Sequence, residues 1–198
     1  MSALTLVPLA LDGVFRVDPA PVEDERGCFA RLWCRESFRA AGLDLAIEQT
    51  SASFNRQAGT LRGLHFAWPP AREAKIVRCA RGRMLDVLLD LRPGSPTYLG
   101  HLAVELDPDR RTALVVPPGV AHGFQTLVDD TEVHYMMSEA YRPDCSAGVR
   151  PDDPVFGVAW PLPVRAISPR DRDAPDFDDA AHRHQWAARQ AGLVGEGG

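Results

Sequence analysis

Between residues 75 and 138, short apolar runs alternate with clusters of Gly, Pro and Asp, and this rhythm limits the fold more than any other feature. Runs over 75–80, 83–91, 98–106, 113–116, 121–128 and 131–138 are separated by turn-forming groups such as Pro93-Gly94, Asp107-Pro108-Asp109 and Pro117-Pro118-Gly119. Gly reaches turn conformations that other residues avoid, and Pro cannot donate to a strand ladder. Strand signals recurring roughly every 8–12 residues point to an all-β sandwich or barrel. None of these runs has the helical length that a parallel βαβ sheet needs.

The flanks extend this pattern. Residues 4–17 read as one or two strands around Asp12-Gly13, and 23–27 as a polar turn followed by a strand over 28–34. A helix is expected over 35–43, stopped at Gly42, and another strand over 46–54. After Tyr141 the chain is rich in Pro and Asp, which predicts ordered coil laid over the barrel and anchored by Phe156 and Trp160. A short helix is expected over 179–191 and fraying over 193–198. We expect a single domain over 1–198, with a barrel core at about 15–141 and peripheral coil and helix over 142–198.

Composition excludes several classes of partner. The net charge of −5 argues against a nucleic-acid partner, which leaves a basic footprint. No run approaches the roughly 20 apolar residues of a membrane span. Cys28, Cys34, Cys79 and Cys145 show no paired spacing and read as reduced thiols of a cytoplasmic protein.

The chemistry concentrates between Gly59 and Lys75. Of the 22 basic residues, Lys75 is the only lysine. Lysine is a compact, tunable cation, whereas arginine is a permanently charged fork. His65 lies on a predicted strand and is either a core histidine bound to a carbonyl or a general base. Arg62 and His65 are three apart, so an ideal strand sends them to opposite faces; a bulge at Gly63 would aim both into one cavity, and without one Arg62 sits at the rim. Arg26 and Arg62 are suited to grip a phosphate. Tyr135 shares a strand face with Val133 and Met137, and an inward phenol near His65 suits a general acid; His134 has the opposite parity. A metal-binding barrel calls for paired histidines with a nearby carboxylate. His65 has apolar neighbours and His122 has no ligand beside it, so no metal is expected.

The segments RGCF (26–29), GTLRGLHF (59–66), EAKIVRCARGRMLDVLLDLRPGSPTY (73–98), VVPPGVAHGFQTL (115–127), EVHY (132–135), DDPVFGVAWP (152–161) and ISPRD (167–171) carry a resemblance. In this order and spacing they resemble the dTDP-4-dehydrorhamnose 3,5-epimerase family, over nearly the whole chain. The resemblance implies a cupin-type jelly roll with a few short peripheral helices, a homodimer that extends sheets across the subunit interface, and catalysis without metal or other cofactor. It implies epimerisation at C3 and C5 of dTDP-4-dehydro-6-deoxy-D-glucose. His65 becomes the base, Asp171 its carboxylate partner and Tyr135 the acid on the opposite face of the sugar. Lys75 and His122 lie near the ketone and hydroxyl oxygens. Arg26 and Arg62 hold the diphosphate, and Phe29, Gln49 and Trp160 contact nucleotide and sugar. In the motif SPRDRD, Asp173 competes with Asp171 for the role of partner.

The chain departs from the commonest family pattern at Arg31, where an acid is usual, and at Ser51, where Asn is usual. Both departures bear on substrate choice. The alternatives are a C3-only or C5-only epimerase acting on another nucleotide-linked 4-keto-deoxyhexose, a non-catalytic sugar-nucleotide-binding jelly roll, and a metal-dependent cupin.

Overall fold

The computed structural model describes residues 3–195. Thirteen strands and three helices follow in the order β1 (Leu4–Pro8), β2 (Phe15–Pro19), β3 (Val22–Asp24), β4 (Gly27–Phe29), α1 (Arg35–Ala40), β5 (Gln49–Asn55), β6 (Leu61–Ala67), β7 (Lys75–Arg81), β8 (Met84–Asp90), β9 (His101–Leu106), β10 (Ala113–Val116), β11 (Val120–Thr126), β12 (Thr131–Met137), β13 (Ser146–Gly148), α2 (Pro169–Arg172) and α3 (Asp179–Gly195). Six strands form one sheet in the order β1-β2-β10-β7-β12-β5, and five form a second in the order β13-β6-β11-β8-β9. All the pairings between these strands are antiparallel, and the two sheets face each other as a cupin-type jelly roll.

Three apolar layers hold this arrangement. Val77, Met84, Leu88, Leu114, Phe124 and Val133 pack between the sheets. Leu64, Phe66, Val87 and Leu89 point out of the second sheet and are covered by Phe156, Trp160 and Trp186. Ile76 and Val115 point out of the first sheet beneath Phe38 of α1. Strands β8 and β11 are therefore buried on both faces, which is why they read as nearly continuous apolar runs rather than as alternating ones.

Most of the expected elements are present, with shifted ends. The strand expected over 28–34 stops at Phe29, where a short β3–β4 hairpin ends. The next residues leave the sheet to bring Trp33 against Phe38. Helix α1 ends at Ala40, one turn earlier than expected, and Gly42 follows with φ +82°. Strand β13 lies inside the stretch expected to be coil, paired to β6. Phe156 and Trp160 do anchor that stretch. Helix α3 extends to Gly195, past the residue where fraying was expected to begin; residues 196–198 of that expectation lie outside the described residues. His182 fixes α3 to the barrel by donating from Nε2 to the Leu91 carbonyl at 2.7 Å, within a cluster that includes Trp68, Phe177 and Trp186. Among the described residues, no helix is long and apolar enough to cross a membrane.

Candidate active site

The pairing of β6 with β11 decides where the central histidine points. Arg62 lies opposite Phe124, and His65 lies opposite His122. Two residues, Gly63 and Leu64, therefore face the single Gly123, which is a bulge. Partners across an antiparallel ladder share a face, so Arg62, His65, His122 and Phe124 all turn towards the barrel interior. Gly63 makes this possible. Its φ is +107°, and a Cβ there would sit 2.6 Å from the Gly123 Cα. Leu64 is thrown to the outer face, into the layer beneath the C-terminal coil.

The opposite sheet supplies the other groups. Tyr135 on β12 pairs with Val77 on β7 and with Ser51 on β5, and Lys75 pairs with Met137. Val77 is in the inter-sheet core, so Lys75, Tyr135 and Ser51 face inward too. His65, Lys75, Tyr135, Ser51, Glu73 and Arg170 line one cavity of about 300 Å³. That size falls at the lower end for small-molecule sites, roughly 300–1,000 Å³. A second cavity of about 440 Å³ shares His65 and Arg170 with the first and adds Arg62 and Asp171. His65 thus stands between a partly apolar cleft and a cationic one.

His65 has a carboxylate for company. Its Nε2 lies 2.7 Å from Asp171 Oδ1, and the acid is 6% exposed. Asp171 is held in turn: its Oδ2 accepts from the Gly63 N–H at 3.2 Å, and its own N–H donates to Ser168 Oγ, the N-cap of α2, at 3.1 Å. The competing Asp173 is exposed and paired with Arg172 at 2.7 Å. With Nε2–H directed at the carboxylate, the lone pair of Nδ1 is the basic position of the ring.

Tyr135 is largely enclosed, its ring edge-on to that of His122 at 5.9 Å. Burial, reinforced by the negative Asp86, pushes its phenol well above the ordinary tyrosine range, so it is protonated at neutral pH. Behind it, His122 Nε2 lies 2.7 Å from Asp86 Oδ1 without the alignment of a hydrogen bond. Burial raises the Asp86 carboxyl, opposed by His122. Arg62 Nε donates to Asn55 Oδ1 at 2.7 Å.

The sequence-predicted residues divide into two groups. His65, Lys75 and Tyr135 share the first cavity, Arg62 and Asp171 join through the second, and His122 is buried behind. Gln49 sits at the rim, where its side-chain carbonyl accepts from the Tyr141 N–H at 2.9 Å. Arg26 and Phe29 are not brought to this site within one chain. They sit on the β3–β4 hairpin, 84% (side chain) and 69% exposed, and Arg26 pairs with Asp24. Trp160 is likewise elsewhere; its indole donates to the Pro151 carbonyl at 2.9 Å and packs on the outer layer. Of the two departures, Ser51 lines the cavity beside Tyr135, whereas Arg31 is placed near Cys34. Sequence reading missed Glu73 and Arg170. Their only signal was adjacency to Lys75 and Asp171. Among the described residues, no three His, Cys, Asp or Glu side chains converge as a metal site requires.

A His–Asp pair, a protonated phenol and an ammonium thus stand around two adjoining cavities, and these are the kinds of group that proton transfer uses. The family model described as dTDP-4-dehydrorhamnose 3,5-epimerase matches residues 8–179. A dTDP-4-dehydrorhamnose 3,5-epimerase of Streptomyces griseus is 40% identical, over 89% of this chain and 88% of its own. The crystal structure of a dTDP-4-dehydrorhamnose 3,5-epimerase from Bacillus anthracis with TDP and PPi bound superimposes with a TM-score of 0.85, at 32% identity over 88% of this chain and 100% of that one. A 3'-monoepimerase from Streptomyces bikiniensis in complex with dTDP-quinovose gives a TM-score of 0.83, at 34% identity over 93% and 97%. The chain belongs to the dTDP-4-dehydrorhamnose 3,5-epimerase family and is a carbohydrate epimerase.

Proposed function

We propose that the chain inverts C3 and C5 of dTDP-4-dehydro-6-deoxy-D-glucose, giving dTDP-4-dehydro-L-rhamnose. The observation that carries this reading is the convergence of His65, Tyr135 and Lys75 on one cavity, with Asp171 behind the histidine. A C–H next to a ketone is acidic because its electron pair delocalises onto oxygen. His65 Nδ1 removes that proton, and the Asp171 carboxylate stabilises the imidazolium that forms. The Lys75 ammonium, itself only 18% exposed, stabilises the charge that develops on the enolate oxygen. Tyr135, held protonated, delivers a proton to the other face, and the centre inverts. Acid–base help of this kind contributes typically about 10²–10⁴-fold.

Arg62 and Arg170 face the cationic cavity and suit the diphosphate. His122 backs the sugar, and Gln49 holds the rim segment that carries Tyr141. Arg26 and Phe29 act, in this reading, on the site of a second copy within a homodimer. Trp160 supports the fold beneath the nucleotide rather than touching it. A cytoplasmic setting fits the four free cysteines.

The test is solvent-deuterium wash-in with purified protein and dTDP-4-dehydro-6-deoxy-D-glucose. Label at C3 and C5 is the expected result. Label at one carbon reduces the activity to a mono-epimerase, as in the 3'-monoepimerase relative. No label at either carbon removes the epimerase reading and leaves a binding jelly roll.

A further inference from the structure

Lys75 is not the only charge on its wall of the cavity. Its ammonium is ion-paired with Oε1 of Glu73, and the two side chains are 18% and 14% exposed. An acid two residues before a lysine in a loop is ordinarily solvated, but here the backbone prevents it. The Arg72 N–H donates to a Glu139 carboxylate oxygen at 2.9 Å, the Ala74 N–H to Ser138 Oγ at 2.8 Å, and the Ser138 N–H to the Ala74 carbonyl at 3.0 Å. Segment 72–74 is thus zipped to the end of β12. Glu73, between two tethered residues, is turned into the cavity that holds His65 and Tyr135. The mechanism above uses the lysine and gives the acid no task.

We propose that Glu73 contacts the substrate and reads the hydroxyl beside the ketone, a role that rests on the epimerase reading. A sugar with a ketone at C4 and a hydroxyl at C3 presents an acceptor and a donor on adjacent carbons. The Lys75–Glu73 pair presents a donor and an acceptor side by side. The match tightens when C3 reacts. The C3 proton leaves for the base, the C–H electron pair becomes the C3=C4 bond, and the carbonyl π pair moves onto O4. O4 is then an oxyanion coplanar with O3–H. The ammonium takes O4 and the carboxylate takes O3–H. An ammonium has three hydrogens and a carboxylate about four lone-pair sites, so their mutual bond leaves room for both contacts. Reprotonation of C3 from the other face restores the ketone. An enolate formed towards C5 has a ring oxygen and a methyl group on the reacting carbon, with no hydroxyl to read. Only interactions that strengthen in the transition state accelerate a step, so Glu73 acts on C3 and not on C5.

The experiment measures wash-in at C3 and C5 separately in the full-length protein. Glu73→Ala is expected to slow C3 exchange about 10- to 100-fold, the range for losing a hydrogen bond to a charged group, and to leave C5 exchange nearly unchanged. Lys75→Met is expected to slow both. Glu73→Gln, close in shape and able to keep its amide oxygen on Lys75, carries the same C3 bias at smaller amplitude and serves if the alanine variant does not fold. A merely structural Glu73 lowers Tm or slows both carbons together, and an unchanged C3:C5 ratio overturns the proposal. Wild-type label confined to C5 overturns it too. If the wild type labels C3 alone, the proposal predicts a slower C3 rate in Glu73→Ala with unchanged dTDP affinity, and an unchanged rate overturns it. Absence of any label in the wild type is a separate result, which removes the epimerase reading itself.

Discussion

His65 uses its two ring nitrogens differently. Nε2 faces a carboxylate with its own two anchors, which leaves Nδ1 as the ring's basic position. Asp171→Asn keeps the size of the side chain but offers an amide N–H to either Gly63 or the imidazole. In the first case N–H faces N–H and the amide oxygen keeps the tautomer; in the second the tautomer is reversed; in both the imidazolium loses the charge that stabilises it. We expect kcat to fall by about 10³-fold, within the roughly 10²–10⁴ range for acid–base groups and somewhat less than the about 10⁴ of the same change in a hydrolase triad, with Tm little altered. His65→Asn is expected to abolish label at both carbons. A kcat within a few-fold of wild type for Asp171→Asn removes the dyad from the mechanism. Tyr135 was legible from strand parity, Lys75 as the sole lysine and His65 from its place on a predicted strand. Asp171 was legible only through resemblance, because its contact with His65 spans 106 residues. Glu73 was illegible because an acid beside a lysine in a loop normally means a solvated pair, and only the ladder of bonds from 72–74 to 138–139 reverses that.

At the scale of elements, the turns carried more information than the strands they separate. DLRPGSPT, which closes β8, shows why. Asp90 is fully buried and accepts from Arg92 Nε at 2.8 Å, Ser95 Oγ at 2.5 Å and Thr97 Oγ1 at 2.7 Å. Burial works to raise its carboxyl, but the bonds from Arg92, Ser95 and Thr97 prevail and hold it below the ordinary 3.8. Its folded pKa is depressed, so the unfolded chain binds the proton more readily. The stability it contributes is present above 3.8 and is lost as the pH falls through the folded value. Asp90→Asn is expected to cost about 3 kcal/mol at pH 7, roughly 10 °C in Tm. The gap to wild type should narrow as the pH falls below 4. A gap that does not change with pH refutes the charge argument and leaves only lost shape. Strand ends were less legible. Phe29 and Trp33 both read as strand residues, but the chain turns between them to cover the outer face of the first sheet. Strand β13 was invisible because three residues paired at an edge leave no periodic trace.

The whole molecule leaves an imbalance between what one chain assembles and what its surface displays. The hairpin β3–β4 exposes Val22 (56%) and Phe29 (69%), and Phe54 on the seven-residue edge strand β5 is 46% exposed. An unpaired sheet edge is a feature that chains usually cover. Arg26 and Phe29, expected at the nucleotide, lie on that hairpin and not at the cavity. Both facts are reconciled if a two-fold dimer carries each hairpin to its partner's site. The consequence can be tested by complementation. Arg26→Glu and His65→Asn each inactivate a homodimer. When the two are mixed at equal amounts and allowed to exchange, random pairing makes half the dimers hybrid. In each hybrid, one site has both the intact histidine and the intact hairpin of the other chain, so about one quarter of wild-type sites return, as two-fold symmetry requires. If each hairpin serves its own chain, every site in the hybrid carries one lesion and mixing restores nothing. Light scattering on the same samples reports the dimer directly. A monomer at working concentration, or a mixture as inactive as its components, removes the cross-subunit arrangement and leaves Arg26 and Phe29 without a part in the site.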